Sequence, residues 1–150
     1  MINRELYMEQ ITPFIDKPFV KVITGIRRCG KSVVLRLIRE ELLRRGVSED
    51  YIIYMNFESF EWIDMKEAKA LYAHIREATK ASGKYYILLD EIQEVTDWEK
   101  AVNAFLVDLD VDIYVTGSNS RLLSSEFSTY LAGRYVAFHI MTLSLSLIHI

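Results

Sequence analysis

Gly25-Ile26-Arg27-Arg28-Cys29-Gly30-Lys31-Ser32 limits what this chain can fold into more than any other stretch. It fits the spacing G-x-x-x-x-G-K-S/T, and that spacing has a mechanical meaning. Glycines let the backbone turn so that successive N–H groups point inward at phosphate oxygens. The positive end of the following helix adds to the field. In that arrangement Lys31 reaches the β- and γ-phosphates and the Ser32 hydroxyl ligates Mg2+. The loop needs an apolar strand before it and a helix after it, and both are present. Phe19 to Thr24 is apolar and β-branched, and Lys31 to Arg45 carries Val34, Leu35, Leu37, Ile38 and Leu42 at helical spacing, with Gly46 as its stop. With glycine at about 7% of average usage, a chance match in a chain this long is on the order of 0.5%. The expected phosphate-binding stretch runs from Gly25 to Val33.

The rest of the chain repeats the alternation of strand and helix. Tyr51 to Phe57, Tyr85 to Leu89, Asp112 to Thr116 and Tyr135 to Met141 are short and mostly apolar, as strands buried on both faces are. Met65 to Lys80 and Trp98 to Leu109 have helical period, and Thr96 with Glu99 reads as a capping box for the second. The expected fold class is α/β with a mainly parallel sheet, and 150 residues suit one domain. A 51% hydrophobic, 26% charged composition excludes a disordered or low-complexity chain.

Cys29 is the only cysteine, which excludes an internal disulfide or a multi-cysteine zinc site and favours the reducing cytoplasm. Arg28 and the helix start are surroundings that lower a thiol pKa, although a small tolerated residue is the simpler account. No run reaches the ~18 uncharged apolar residues of a membrane helix, and no membrane partner is expected. Net charge is −3, but the segment from Lys21 to Arg45 holds eight basic residues against Glu40 and Glu41, a local +6 around the loop. Arg27 and Arg28 add potential there or are solvated surface residues. Arg36, Arg39, Arg44 and Arg45 could contact nucleic acid, or serve as the solvated face and end charges of a helix.

Tyr86-Ile87-Leu88-Leu89-Asp90-Glu91 is an apolar strand ending in two acids. In enzymes with such a loop, an acid at a strand end helps hold Mg2+, which assigns Asp90. The next acid can polarise the attacking water, which assigns Glu91 and favours hydrolysis over a small-molecule kinase. Asn119, in Val115-Thr116-Gly117-Ser118-Asn119-Ser120, could touch the γ-phosphate or the water, or simply sit in a turn. Arg134 follows Gly133, and its functional reading is an arginine finger on the transition state.

Taken together, Val22 to Ser32, Leu88 to Val95 with Trp98-Glu99, Val115 to Ser120 and Leu131-Ala-Gly-Arg-Tyr135 resemble the AAA-type P-loop ATPases. The resemblance is closest to a bacterial and archaeal branch of ATP-binding proteins with a further C-terminal domain. It implies a three-layer sandwich with sheet order 5-1-4-3-2, ATP and Mg2+ as ligands, and adenine specificity. It makes Asn119 a sensor of the γ-phosphate and Asn56 a partner restraining Glu91. It also puts Arg134 where a finger acts on a neighbouring subunit, so a homo-oligomer is an admissible partner. A GTPase is disfavoured because no Asn-Lys-x-Asp element is present.

Relatives of this branch continue past the present end. Leu145-Ser-Leu-Ile-His-Ile150 matches a reading-frame translation of a sequencing adapter, so the expected organisation is an ATP-binding domain over 1–144, the N-terminal part of a longer protein, with 145–150 a non-native tail. The rival for that tail is a strand extension, since Leu143, Leu145 and Leu147 alternate with serines. The expected function is Mg-ATP binding and hydrolysis. The alternatives are an ATP-controlled binding module with little turnover and, behind it, a small-molecule kinase.

Overall fold

In the computed structural model, residues 4–25, 30–118, 122 and 131–141 are described. The apolar runs form five strands: β1 (Val20–Gly25), β2 (Ile52–Asn56), β3 (Tyr85–Asp90), β4 (Val111–Gly117) and β5 (Tyr135–Ile140). Each end lies within one residue of the sequence expectation. β1 and β3 are buried at every position and β4 at all but its first, the burial of strands covered on both faces. The sheet order is β2-β3-β4-β1-β5 and every pairing is parallel. This is the order the resemblance implies.

Successive residues of a strand face opposite ways, so each strand feeds two cores. On one face Ile23, Leu88, Tyr114 and Phe138 pack with α1 (Arg4–Ile11) and α2 (Lys31–Arg44) through Tyr7, Ile11, Val34, Leu35, Ile38 and Leu42. On the other, Val22, Ile87, Leu89 and Val115 pack with α3 (Ala68–Ala78) and α4 (Trp98–Asp108) through Leu71, Ile75, Trp98, Val102 and Phe105. The result is a three-layer α/β sandwich. α2 stops as expected: Gly46 N–H donates to Leu43 O and Val47 N–H to Leu42 O, each at 3.0 Å, the paired closure of a Schellman motif.

Three elements differ from expectation. α1 has no counterpart in the sequence reading. Its middle is fastened by Tyr7, whose hydroxyl accepts from Met141 N–H at 2.7 Å and donates to Met141 O at 3.0 Å. α3 begins at Ala68 because Phe60–Met65 forms a separate 3-10 segment and Glu67 is extended (φ −144°, ψ 140°). The capping box on α4 does not form. Thr96 is held in a parallel bridge with Glu67, with Ala68 N–H on Thr96 O at 3.0 Å and Thr96 N–H on Lys66 O at 3.1 Å. That leaves Asp97 (φ 58°) at the N-cap without a side-chain cap bond.

Because all strands run the same way, their C-terminal ends share one edge. Thr24 pairs with Gly117, and Asn56 with Asp90. The end of β1 at Gly25, the two acids at the end of β3 and the tip of β4 all lie there.

Candidate functional site

Gly30 caps α2 with φ 103°, a conformation that side chains rarely adopt, and so releases the chain from the loop into the helix. Lys31, the first helical residue, is 3% exposed and folds back over the end of β1. Its Nζ donates to Gly25 O at 3.1 Å and lies 3.5 Å from Glu91 Oε2. Ser32 Oγ donates to Asp90 Oδ2 at 2.6 Å. Val33 is half-buried against the α1/α2 core.

Asp90 is completely buried, and an unpartnered carboxylate in that position would be costly. Three hydroxyls from three elements serve it. Thr116 Oγ1 on β4 donates to Oδ1 at 2.6 Å, while Tyr54 on β2 (2.7 Å) and Ser32 on α2 donate to Oδ2. Burial first, and the Asp90 carboxylate second, push the Tyr54 hydroxyl well above its ordinary value, so it remains a donor. Thr116 has a second task. Its Oγ1 accepts from Glu91 N–H at 2.9 Å, which holds Glu91 in the left-handed region (φ 56°, ψ 51°).

Gln93 Nε2 donates to Glu91 Oε1 at 2.6 Å, so Gln93 and Lys31 flank the Glu91 carboxylate from two sides. Gln93 lies across the end of β4 because residue 117 has no side chain. A Cβ there would meet Gln93 Oε1 and come within 2.6 Å of Leu122 Cγ. Asn56 does not restrain Glu91 as the resemblance implied. Its Oδ1 accepts from Glu58 N–H at 3.0 Å, a local turn bond at the end of β2.

The structure thus brings Gly25, Gly30, Lys31, Ser32, Asp90 and Glu91 together at one edge. Ile26, Arg27, Arg28, Cys29 and Asn119 lie outside the described residues. Arg134 is elsewhere: it precedes β5, whose first residue pairs with Val20, so it sits at the opposite edge from Gly25. Six residues of strand at ~3.3 Å each separate it from the loop by about 20 Å. There its exposed side chain donates to Asn103 Oδ1 on α4.

The basic segment is also less concentrated than its sequence suggests. Lys21 is fully buried at the edge away from the loop, paired with Asp112. Arg36 faces Glu40, Arg39 faces Glu49, and Arg44 and Arg45 share Glu41. Three glutamates thus offset three of these four arginine charges, and Glu41 is shared between two of them.

Sequence reading passed over Tyr54, Thr116 and Gln93. Thr116 carried a weak signal, a hydroxyl at the end of an otherwise apolar buried strand. For Tyr54 there was none, because its contact with Asp90 depends on which strands become neighbours; Gln93 stood in the Leu88 to Val95 stretch, two residues from the Glu91 it serves, but was given no role of its own.

A family model described as an AAA domain matches residues 17–148. An uncharacterized protein of Haemophilus influenzae is 48% identical over 145 residues, which are 96% of this chain but 36% of that relative. The chain therefore spans about a third of the curated relative's length. Among solved structures, a DNA polymerase III gamma subunit-related protein from Thermotoga maritima superposes with a TM-score of 0.65 at 13% identity, covering 93% of this chain and 47% of that one. DnaA from Aquifex aeolicus, solved with AMPPCP bound, gives 0.61 at 18% identity over 94% of this chain and 48% of its own. These likenesses concern the fold. Among the described residues, no helix is long and apolar enough to cross a membrane.

Proposed function

The chain belongs to the AAA domain family, and on that premise we propose that it binds ATP with Mg2+ and hydrolyses it. The observation that carries this reading is the double contact of the first helical turn with the acid pair: Ser32 Oγ on Asp90 Oδ2 at 2.6 Å and Lys31 Nζ 3.5 Å from Glu91 Oε2.

The donor set fits a magnesium ion. A hydroxyl has one proton and two lone pairs, and Ser32 spends its proton on Asp90, which leaves the lone pairs for a hard cation. Among the described residues no group of three or more His, Cys, Asp or Glu side chains could hold a metal alone, which suits an ion held largely by phosphate oxygens. When bound, Mg2+ would neutralise charge developing on the β- and γ-phosphates. Lys31 would exchange Gly25 O and Glu91 for phosphate oxygens. Asp90, fixed by three hydroxyls, keeps Ser32 oriented. Glu91 accepts a proton from water once Lys31 has left it.

Expected outcomes follow for two substitutions. Lys31→Ala lowers ATP affinity about ten- to hundredfold, the range for losing charge-assisted bonds. Glu91→Gln keeps affinity within about twofold while turnover drops by roughly 10² or more. Hydrolysis at the wild-type rate by Glu91→Gln protein would remove the base from Glu91.

One observation favours a second reading, an ATP-controlled binding module with slow turnover. Glu91 is flanked by both Gln93 and Lys31, so the base is held back until a ligand competes for Lys31. Single-turnover and steady-state rates together separate the two: single-turnover chemistry slower than nucleotide release supports the module, and many steady-state turnovers per binding site each minute support the hydrolase. A kinase would yield ADP only when an acceptor is supplied.

A further inference from the structure

Tyr54 lies on β2, two positions before the residue that pairs with Asp90, because Tyr54 pairs with Leu88 and Asn56 with Asp90. Paired residues of parallel strands point to one face, and Leu88 and Asp90 are two apart on theirs. Tyr54 is therefore the diagonal neighbour of Asp90, at a span an aromatic side chain can bridge. Tyr54 is 42% exposed and lines an open groove together with Ser32, Val33, Leu35, Arg36 and Arg39 of α2, yet its hydroxyl is carried inward to Asp90 Oδ2 at 2.7 Å. A ring that only filled the groove would not need that hydroxyl.

Oδ2 is the oxygen that also takes the Ser32 proton. Thr116 holds the other oxygen from β4, so the carboxylate is gripped from both neighbouring strands. With either grip removed, the carboxyl group could turn about its Cβ–Cγ bond, and the Ser32 proton would lose a fixed acceptor. The Ser32 lone pairs would then no longer be aimed.

We infer that Tyr54 is a positioning residue of the metal site: its hydroxyl fixes the plane of the Asp90 carboxylate, and through it the Ser32 oxygen offered to the divalent cation of bound nucleotide. This rests on the Mg-ATP reading above. Tyr54 itself touches neither nucleotide nor cation. Its effect is confined to metal affinity, and nucleotide binding without metal does not depend on it.

The test uses the chain as wild type, Tyr54→Phe, Ser32→Ala and the double variant. Mn2+ is titrated into each chain's AMPPCP complex and followed by electron paramagnetic resonance, and nucleotide affinity is measured separately in EDTA. Phe keeps the half-exposed ring and leaves no cavity, and unchanged thermal melting verifies the fold. The expected result is a Mn2+ half-saturation raised about tenfold in Tyr54→Phe, as for loss of one hydrogen bond to a charged group. Affinity in EDTA stays within twofold, and Tyr54→Phe adds nothing on the Ser32→Ala background. Mn2+ affinity unchanged in Tyr54→Phe overturns the inference and leaves Mg-ATP binding standing. Equal weakening with and without metal, or full additivity with Ser32→Ala, also overturns it, because either marks a role in packing alone. A wild-type chain that binds AMPPCP in EDTA but gains no Mn2+ site sinks the metal reading and the Tyr54 role together.

Discussion

Thr116 shows how much one side chain at this edge can settle. Its hydroxyl donates to Asp90 Oδ1 and accepts from Glu91 N–H, so it orients one acid and fixes the backbone of the next. Gly117 beside it acts by lacking a side chain. Gly117→Ala puts a methyl group against Gln93 Oε1 and Leu122, and the flexible Gln93 amide gives way more easily than the buried leucine. The expected outcome is at least a tenfold change in turnover with ATP affinity within about twofold, because Glu91 loses its Gln93 donor while Lys31 and Ser32 keep their places. Steady-state rates beside equilibrium nucleotide titration would check this, and an unchanged rate would show that Gln93 does not set Glu91. The difference between Lys31 and Tyr54 explains what could be read in advance. That Lys31 and Ser32 would lie beside Asp90 and Glu91 was legible, because local spacing puts each pair at the end of a strand. Thr116 and Tyr54 reach Asp90 only when β2, β3 and β4 are laid side by side, whereas Gln93 meets Glu91 within a single turn.

Elements were legible where a core imposes a period. The strands ran true because a parallel strand buried on both faces is a plain apolar run. α1 was not, since Tyr7 and Ile11 are its only fully buried apolar residues and leave too thin a stripe. The Thr96 box failed because a tertiary bridge with Glu67 took the backbone that the cap would have used. At the other end of a helix, α2 offers a local test. Glu41 accepts from Arg44 (2.5 and 3.0 Å) and from Arg45 (2.8 Å), and these bonds, Arg44 foremost, hold its carboxyl at about 2. A depressed folded pKa means stability that is present above the ordinary value of 4.5 and lost as pH falls toward 2. Surface pairs contribute about 0.5 kcal/mol each, so Glu41→Gln should unfold about 1 kcal/mol more easily at pH 6, a gap that closes by pH 2 in urea titrations. The β1–β4 pair carries a larger consequence. Lys21 Nζ is buried between Asp112 and Lys17 O (2.7 Å), and Asp112 also takes Asp16 N–H (3.0 Å) and the Tyr114 hydroxyl (2.6 Å), which ties the segment before β1 to the sheet. Asp112→Ala strands a buried ammonium and should cost about 3–5 kcal/mol in denaturant unfolding, whereas Lys21→Met with Asp112→Leu should recover most of it.

The sheet has two edges that face opposite ways. Its C-terminal edge holds Gly25, Lys31 and the acids; its N-terminal edge holds the Lys21–Asp112 pair and Arg134. Since about 20 Å of strand lies between Arg134 and Gly25, Arg134 can serve a transition state only in another copy of the chain, and it would have to leave Asn103 to do so. That geometry makes the finger role separable from everything else in the site. Arg134→Ala keeps its own loop intact but has no finger to offer, and Lys31→Ala keeps its finger but has a damaged loop. If the finger acts between copies, each variant alone should be nearly inactive, with Arg134→Ala down by roughly 10³ in rate, and mixing the two should restore a measurable fraction of wild-type hydrolysis. Wild-type specific activity should then rise with chain concentration until the association saturates. An Arg134→Ala chain as active as wild type, or an inactive mixture of two variants that still co-associate in sedimentation, would leave Arg134 as no more than the Asn103 contact that fastens the start of β5 to α4.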